Sequence, residues 1–229
     1  MRDGIEGIGF DLDGTLYPNY RLNIKLFSFA LKEMRLLTAF GKARTIIRKE
    51  QEDESFILRD NFYEYQTGIT AKILSVPAEG LKEKIDRLMY RGWEPLFKKV
   101  KLFKGVMETL NSLRKAGYKL GLLSDFPPET KLENLGISGI WDAVLCSELC
   151  GALKPHPLSF NKLADAMGLP PEKIMYIGNS LSYDVAGAAK TGMKTAWIKS
   201  PFIANSGNKK PKPDFSFSNY RQLYDFMIQ

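Results

Sequence analysis

The sequence predicts an α/β protein in which a parallel sheet is flanked by helices and interrupted by an inserted helical domain. From residue 103 onward, short apolar segments alternate with amphipathic segments of helical length, a pattern typical of parallel sheets. A further apolar segment stands at residues 5–10, close to the N-terminus. Between these two regions there is no strand-like alternation, so the intervening residues are predicted to be helical.

The first strand is predicted at residues 5–10, where a glycine-containing apolar run ends directly before the sequence DLDGT at residues 11–15. Apolar residues then recur at helical spacing over three stretches, residues 22–40, 54–65 and 81–89. We therefore predict a discontinuous core formed by residues 1–16 and 101–229. The helical domain, residues 17–100, is inserted directly after the first strand.

The core beyond the insertion is predicted to contain four helices and four strands. The helices each end at a glycine, a usual C-terminal stop signal, and cover residues 105–116, 129–135, 157–167 and 184–191. The strands are short and apolar, and cover residues 118–123, 143–146, 173–177 and 194–198. A polar loop is predicted at residues 205–214, and no element is predicted for the segment that follows it.

The composition is that of a globular protein, with 44% hydrophobic and 26% charged residues and no apolar run of membrane-spanning length. The first ten residues carry Asp3 and Glu6 and lack the features of a signal peptide, so we expect a soluble, cytoplasmic protein. Cys146 and Cys150 are expected to be reduced, which excludes a disulfide scaffold. With His156 as the single histidine, a cysteine–histidine zinc site is excluded too.

The net charge of +7 and the isoelectric point of 9.2 are compatible with binding to nucleic acid. Within residues 17–50, however, the 8 basic and 2 acidic residues are spread at helical spacing rather than packed into a tract. We interpret this stretch as a solvated helix face, with a polyanion site and the attraction of small anionic substrates as alternatives. Neither nucleic acid nor a membrane is an expected partner.

Polar side chains are expected at the carboxyl ends of several strands, the edge at which parallel sheets bind ligands. Asp11 and Asp13 follow the first strand two residues apart, Ser124 follows the second, and residues 179–184 follow a later one. Two crowded carboxylates favour a divalent cation or a retained proton, and a carboxylate can also act as a nucleophile. Lys154 supplies a point charge suited to phosphate. Each residue alone also fits a turn, a helix cap or an exposed surface.

Taken in order, these residues resemble the four motifs of the haloacid dehalogenase-like (HAD) superfamily of hydrolases. The first motif corresponds to residues 11–15, the second to Ser124, the third to Lys154 and the fourth to residues 178–184. The sequence GALKP around the lysine and the insertion directly after the first motif also resemble the family. The resemblance implies a Rossmann-like core, with the inserted helical domain as a cap over it.

The resemblance implies a role for each motif residue. Asp11 is expected to be the nucleophile that attacks phosphorus and forms an aspartyl-phosphate. Asp13 is expected to protonate the leaving-group oxygen and then to help remove a proton from the hydrolytic water. Ser124, together with main-chain amides of the first loop, is expected to bind phosphate oxygens. Lys154 is expected to offset charge on Asp11 and on the transferring group.

A Mg²⁺ ion is implied by the same resemblance, held by the Asp11 carboxylate, the Asp13 main-chain carbonyl, Asp184 and Asn179. Related phosphatases usually carry an aspartate where this chain has Asn179. The asparagine removes one negative charge from the expected metal site. Either it is a tolerated ligand, with Asp184 supplying the charge, or it weakens metal binding and alters activity.

Asp13 distinguishes two reaction types within the family, because an alkoxide leaving group needs a proton and a halide does not. Its presence favours phosphoester hydrolysis over carbon–halogen cleavage. We expect a Mg²⁺-dependent phosphomonoesterase, a monomer or homodimer that acts on a small phosphorylated metabolite. A phosphomutase or phosphotransferase is an alternative within the family. Because of Asn179, a non-catalytic phosphate-binding protein is a third possibility.

Overall fold

The computed structural model describes residues 2–19, 33–53, 56–58, 61–92, 97–199 and 211–229. Within these residues six strands form one sheet: β1 (Gly7–Phe10), β2 (Lys119–Ser124), β3 (Ala143–Cys146), β4 (Ile174–Gly178), β5 (Lys194–Ile198) and β6 (Phe215–Phe217). The strand order is β3-β2-β1-β4-β5-β6, and every neighbouring pair is parallel. The predicted parallel α/β sheet is confirmed.

The helices of the described residues are α1 (Met34–Glu50), α2 (Phe62–Leu74), α3 (Leu81–Ile85), α4 (Val106–Lys115), α5 (Glu129–Leu135), α6 (Pro157–Met167), α7 (Ala186–Lys190) and α8 (Tyr220–Ile228). Two of them adjoin π-helical turns. Helix α3 continues into the turn Asp86–Arg91, and α7 is preceded by the turn Leu181–Val185. None of the helices in the described part of the chain has the length and hydropathy needed to cross a membrane.

At β1 the order of strands in the sheet changes side. From β1 the chain proceeds to β2 and β3 on one side, then returns to β4 on the other side and continues to β5 and β6. In sheets of this kind, ligands bind beyond the carboxyl ends of the strands at such a switch point. Asp11, Ser124 and Gly178 stand at the carboxyl ends of β1, β2 and β4, which makes this edge the place to look for a site.

Helices cover both faces of the sheet, as the residues of β4 show. Met175 and Ile177 belong to one apolar cluster with side chains of α4 and α8, whereas Ile174 and Tyr176 belong to another with side chains of α6. Successive side chains of a strand point to opposite faces, so each face of β4 packs against its own layer. All five residues of the strand are buried.

Two glycines let α6 approach the centre of the sheet closely. A Cβ atom on Gly9 of β1 would lie 2.8 Å from the Tyr176 ring and 3.1 Å from the Leu163 side chain. On Gly121 of β2 it would lie 2.5 Å from the Met167 sulfur. Because a larger residue would push α6 away, these glycines contribute to the position of the Tyr176 ring behind the carboxyl edge of the sheet.

The described residues between β1 and β2 are helical, with no strand among residues 33–53, 56–58 and 61–92. Helices α1, α2 and α3 share an apolar cluster that includes Leu36, Phe40 and Ile85. Phe97, by contrast, packs in the cluster that contains β1. The domain boundaries at residues 16/17 and 100/101 stay a prediction.

Some element boundaries were predicted wrongly. The helix predicted at residues 54–65 is α2, which begins only at Phe62 because the Asn61 side chain accepts a hydrogen bond from Glu64 N at 3.1 Å and caps it there. Strand β6 and helix α8 had no predicted counterpart. Residues 22–32 of the first predicted insertion helix and residues 205–210 of the predicted loop lie outside the described residues.

Candidate active site

The carboxyl ends of β1 and β4 bring two carboxylates to one ammonium group. Lys154 Nζ lies 2.7 Å from Asp11 Oδ1 and 2.7 Å from Asp184 Oδ1. All three side chains are buried. The same ammonium also donates to the main-chain oxygen of Leu123, at 3.3 Å. When both carboxylates are ionised, they share one positive charge, and the centre then carries a net charge of −1.

Local backbone structure holds the two carboxylates in place. Thr15 Oγ1 donates to Asp11 Oδ2 at 2.7 Å, and Ser180 N donates to Asp184 Oδ2 at 2.9 Å. A Cβ atom on Gly178 would lie 2.3 Å from the Asp184 Cβ, so only glycine at the end of β4 lets this aspartate lie against the strand. Both carboxylates are therefore fixed by short contacts from their own loops.

Burial and the neighbouring opposite charges shift the pKa values of these groups in opposite directions. Burial, and to a smaller degree Asp184, raises the pKa of Asp11 to about 7, while the Lys154 ammonium opposes this rise. For Lys154 burial lowers the pKa, but Asp11 and Asp184 outweigh burial and hold it well above 10.5. The lysine is therefore charged, and the excess of negative charge around it would be relieved by a further cation.

Asp13, two residues after Asp11, faces a different set of partners. Its carboxylate accepts hydrogen bonds from Lys131 Nζ at 2.7 and 2.8 Å and from the Tyr17 hydroxyl. Its main-chain oxygen accepts from Asn179 Nδ2 at 3.2 Å. No sequence motif marks Lys131, which lies on α5, or Tyr17, so both partners were missed by sequence reasoning.

Ser124 lies fully buried at the end of β2, where its Oγ accepts a hydrogen bond from Phe126 N at 3.2 Å. The neighbouring Asp125 joins several elements. Arg48 Nη2 lies 2.7 Å from Asp125 Oδ2, and Ser147 Oγ donates to Asp125 Oδ1 at 2.6 Å. The second motif is thus tied to α1 through the residue after the serine.

Helix α1 presents two arginines to the core. Arg44 is buried and pairs with Glu148 as well as with Asp125. Arg48 Nε donates to the main-chain oxygen of Lys154 at 2.8 Å. The interpretation of this stretch as a solvated helix face is therefore wrong for Arg44 and Arg48, because their charges are matched by acidic groups of the core.

The oxygen atoms at this edge fit Mg²⁺ in their chemistry. The described residues contain no cluster of three histidine, cysteine or acidic side chains arranged for a metal ion. Asp11 and Asp184 supply two carboxylates, and the Asp13 main-chain oxygen lies 3.2 Å from the Asn179 amide nitrogen. Mg²⁺ prefers such hard oxygen ligands, usually with few protein groups and several waters. The net charge of −1 at the centre also favours a cation.

The fold and the site together define a class: an α/β protein with a carboxylate–lysine centre at the switch point of its parallel sheet. The motif order along the chain agrees with one family of this class. A sequence profile of the haloacid dehalogenase-like hydrolase family matches residues 5–192. The chain belongs to this family, which confirms the resemblance found in its motifs.

Relatives of known activity match over nearly their whole length. The glyceraldehyde 3-phosphate phosphatase of Methanopyrus kandleri is 27% identical, over 96% of each chain. The phosphoglycolate phosphatase of Haemophilus influenzae is 27% identical, over 96% of this chain and 97% of the relative. The haloacetate dehalogenase H-2 of a Moraxella species is 26% identical, over 98% of this chain and 93% of the relative.

A solved structure supports the fold independently. The crystal structure of a HAD phosphatase from Thermococcus onnurineus matches with a TM-score of 0.64 and 23% sequence identity. The match covers 98% of both chains. The helical segment between β1 and β2 is therefore included in the likeness.

Proposed function

We propose that the protein is a Mg²⁺-dependent phosphomonoesterase that acts on a small phosphorylated metabolite. The observation that carries this proposal is the buried Asp11 carboxylate at the end of β1, paired with Lys154 at 2.7 Å and followed two residues later by Asp13. A carboxylate nucleophile with an acid beside it is what phosphoester hydrolysis through a covalent intermediate requires. The two phosphatases among the relatives support the same reaction.

In the first step, Asp11 Oδ attacks phosphorus, and the bond to the leaving oxygen breaks as Asp13 donates a proton to it. The product of this step is an aspartyl-phosphate. In the second step, water attacks the phosphorus, Asp13 takes up the proton, and the Asp11 carboxylate is regenerated. Ser124 would bind a phosphoryl oxygen, and Lys154 would offset the negative charge that collects around Asp11.

The Asp11 carboxylate, the Asp13 main-chain oxygen and Asp184 would hold Mg²⁺, with Asn179 as a further neutral ligand. When bound, the ion would offset charge on the phosphoryl oxygens as a Lewis acid. The helices of residues 17–100 would act as a cap that excludes water from the site and limits it to small substrates. The ion pairs that Arg44 and Arg48 of α1 form with Glu148 and Asp125 of the core support this assignment.

Carbon–halogen cleavage, the activity named for the Moraxella relative, is less well supported. A halide leaves without a proton, so an acid beside the nucleophile has no part in that reaction. Here Asp13 occupies the position two residues after Asp11, and its carboxylate is held by Lys131 and Tyr17. A side chain fixed at that place favours a leaving group that needs protonation.

The test is hydrolysis of p-nitrophenyl phosphate, measured with Mg²⁺, with EDTA, and for the variant Asp11→Asn. We expect activity that requires the metal and that falls by about a thousand-fold or more in Asp11→Asn, since the amide is not a nucleophile. Asp165→Asn, at an exposed position on α6, is the matched control and should retain full activity.

Circular dichroism should show that Asp11→Asn is folded. Appreciable turnover by a folded Asp11→Asn would remove Asp11 as the nucleophile. Full activity in EDTA would remove Mg²⁺ from the proposal.

A further inference from the structure

A lysine outside the four motifs lies beside Asp13. Lys131 stands on α5, and its Nζ reaches both carboxylate oxygens of Asp13, at 2.8 and 2.7 Å. Its side chain is only 12% exposed. The ammonium also lies 5.3 Å from the centre of the Phe97 ring and 5.5 Å from that of Phe126. The cation is thus held between one carboxylate and two aromatic rings.

One of the three N–H groups of this ammonium has no acceptor among the residues that the structure describes. Two of them serve Asp13, and within the described residues Lys131 has no other hydrogen-bond acceptor. The aromatic rings of Phe97 and Phe126 limit its access to water, so a further hydrogen bond to an anion would be strong there. We propose that Lys131 binds a carboxylate on the leaving group of the substrate, and that the substrate class is small phosphorylated carboxylic acids.

The position of Lys131 relative to Asp13 leads to this class of substrate, and the inference rests on the proposed phosphatase function. To be protonated, the leaving oxygen must lie within hydrogen-bonding distance of the Asp13 carboxylate. The Lys131 ammonium is already hydrogen-bonded to that carboxylate. The ammonium and the leaving oxygen are therefore at most about 6 Å apart. A carboxylate one carbon away from the leaving oxygen lies roughly 3 Å from it, within reach of the ammonium.

The charges around the site favour the same conclusion. A phosphorylated acid brings three negative charges to a site that already holds the carboxylates of Asp11, Asp13 and Asp184. Lys154 is fully engaged by two of these. Mg²⁺ and Lys154 would offset charge at the phosphoryl group, which leaves a carboxylate on the leaving group to be offset by a cation on that side, where Lys131 lies beside Asp13.

The other cations near the site face Asp125 and Glu148 rather than Asp13. Arg44 pairs with Asp125 and Glu148, and Arg48 pairs with Asp125 while its Nε donates to a main-chain oxygen. Neither arginine contacts Asp13 in the described residues. A carboxylate on the substrate would therefore meet Lys131 before either arginine.

The experiment compares two substrates of equal length, 2-phosphoglycolate and 2-hydroxyethyl phosphate, which differ in whether the end of the leaving group is charged. We expect wild-type kcat/KM to be at least tenfold higher for phosphoglycolate. In Lys131→Met this preference should fall to below about threefold, because a charged hydrogen bond of this kind is typically worth a factor of ten or more. The test uses the ratio of the two kcat/KM values. Removing the partner of Asp13 would lower the kcat/KM of both substrates alike and would leave their ratio unchanged.

Three variants complete the design. Lys131→Arg should retain the preference, and Lys131→Gln should lose it and serves as the second neutral variant if Lys131→Met does not fold. Lys115→Met, at an exposed position at the far end of α4, should leave both rates unchanged. A purely structural role of Lys131 would lower both rates and leave their ratio intact.

Either of two results would overturn the inference: a wild-type enzyme without a preference, or a preference that survives in Lys131→Met and Lys131→Gln. Its failure is separable from that of the phosphatase function. Turnover of p-nitrophenyl phosphate without any preference would remove the role of Lys131 alone, whereas no turnover of any of the three phosphates would remove both.

Discussion

Asn179 departs from the motif of related phosphatases, and its contacts show what the departure does. Its Nδ2 donates to the Asp13 main-chain oxygen at 3.2 Å, and the main-chain oxygen of Asn179 accepts from Trp197 Nε1 at 2.9 Å. A Cβ atom on Gly14 would lie 2.0 Å from the same amide nitrogen, so the side chain is closely packed. In this arrangement the amide satisfies a carbonyl that a carboxylate would repel.

We expect Asn179→Asp to tighten Mg²⁺ binding. The new carboxylate would face the Asp13 oxygen, a repulsion that a bound cation relieves. The Mg²⁺ concentration for half-maximal hydrolysis of p-nitrophenyl phosphate should fall about tenfold, and Mg²⁺ should raise the melting temperature more than in wild type. Asn111→Asp, exposed on α4, adds the same charge elsewhere and controls for net charge. An unchanged metal dependence would show that the asparagine is a fully tolerated ligand.

How much of the site could be predicted differs from residue to residue. Asp11, Lys154 and Asp184 could be found because they stand in order on loops that follow or adjoin strands. In the structure both aspartates contact the Lys154 ammonium. Lys131 and Tyr17 could not be found in this way. Their contact with Asp13 depends on the packing of α5 and of the first loop, which no spacing in the sequence specifies.

At the scale of elements, the main feature is the junction between α1 and the end of β2. Burial alone would raise the pKa of Asp125, but Arg44, Lys154 and Arg48 together lower it to about 2. On α1, Arg44 and Arg48 are one helical turn apart, so they face this carboxylate together. The acid after Ser124 therefore joins the inserted helices to the sheet.

This junction makes stability depend on pH in a defined window. The pKa of Asp125 is about 2 in the folded state and near 3.9 in the unfolded state. Its contribution, about 2.5 kcal/mol, is complete above about pH 5 and is lost progressively as the pH falls through 4 and past 2. Between pH 6 and pH 2, we expect the unfolding free energy of Asp125→Asn to fall by about 2 kcal/mol less than that of wild type.

Urea denaturation from pH 6 to pH 2 measures the effect. At pH 6, Asp125→Asn should itself be destabilised by about 3 kcal/mol, because Arg44 and Arg48 lose a buried partner. Titrating groups that contact neither Asp125 nor its two arginines contribute alike to both proteins and cancel in the difference. Parallel stability curves for the two proteins would contradict the assignment of this window to Asp125.

The elements themselves could be predicted where their signals are local. Strands β2 to β5 were found because each is an apolar run in a chain of helices that end at glycine. Strand β6 is only three residues long, and α8 begins at an Asn219 cap whose side chain accepts from Gln222 N, at 3.2 Å. The signal for both is weak. Pairing with β5 fixes β6, and packing against α4 in the main apolar cluster holds α8.

At the scale of the whole molecule, the two ends of the chain meet at the first motif. The Tyr220 hydroxyl of α8 donates to the main-chain oxygen of Thr15 at 2.8 Å, across 205 residues of sequence, and both residues are fully buried. Thr15 in turn holds Asp11 through its hydroxyl. The C-terminal helix thus supports the loop that carries the proposed nucleophile.

We expect Tyr220→Phe to reduce both stability and turnover. The substitution leaves the buried Thr15 carbonyl without its partner, which should cost about 1 to 3 kcal/mol of unfolding free energy. Because the same loop positions Asp11, kcat for p-nitrophenyl phosphate should fall severalfold at constant Mg²⁺. Tyr224→Phe on the same helix is the matched control, since its hydroxyl has no hydrogen bond to any described residue. Loss of stability with unchanged kcat would show that α8 supports the sheet but not the geometry of the nucleophile.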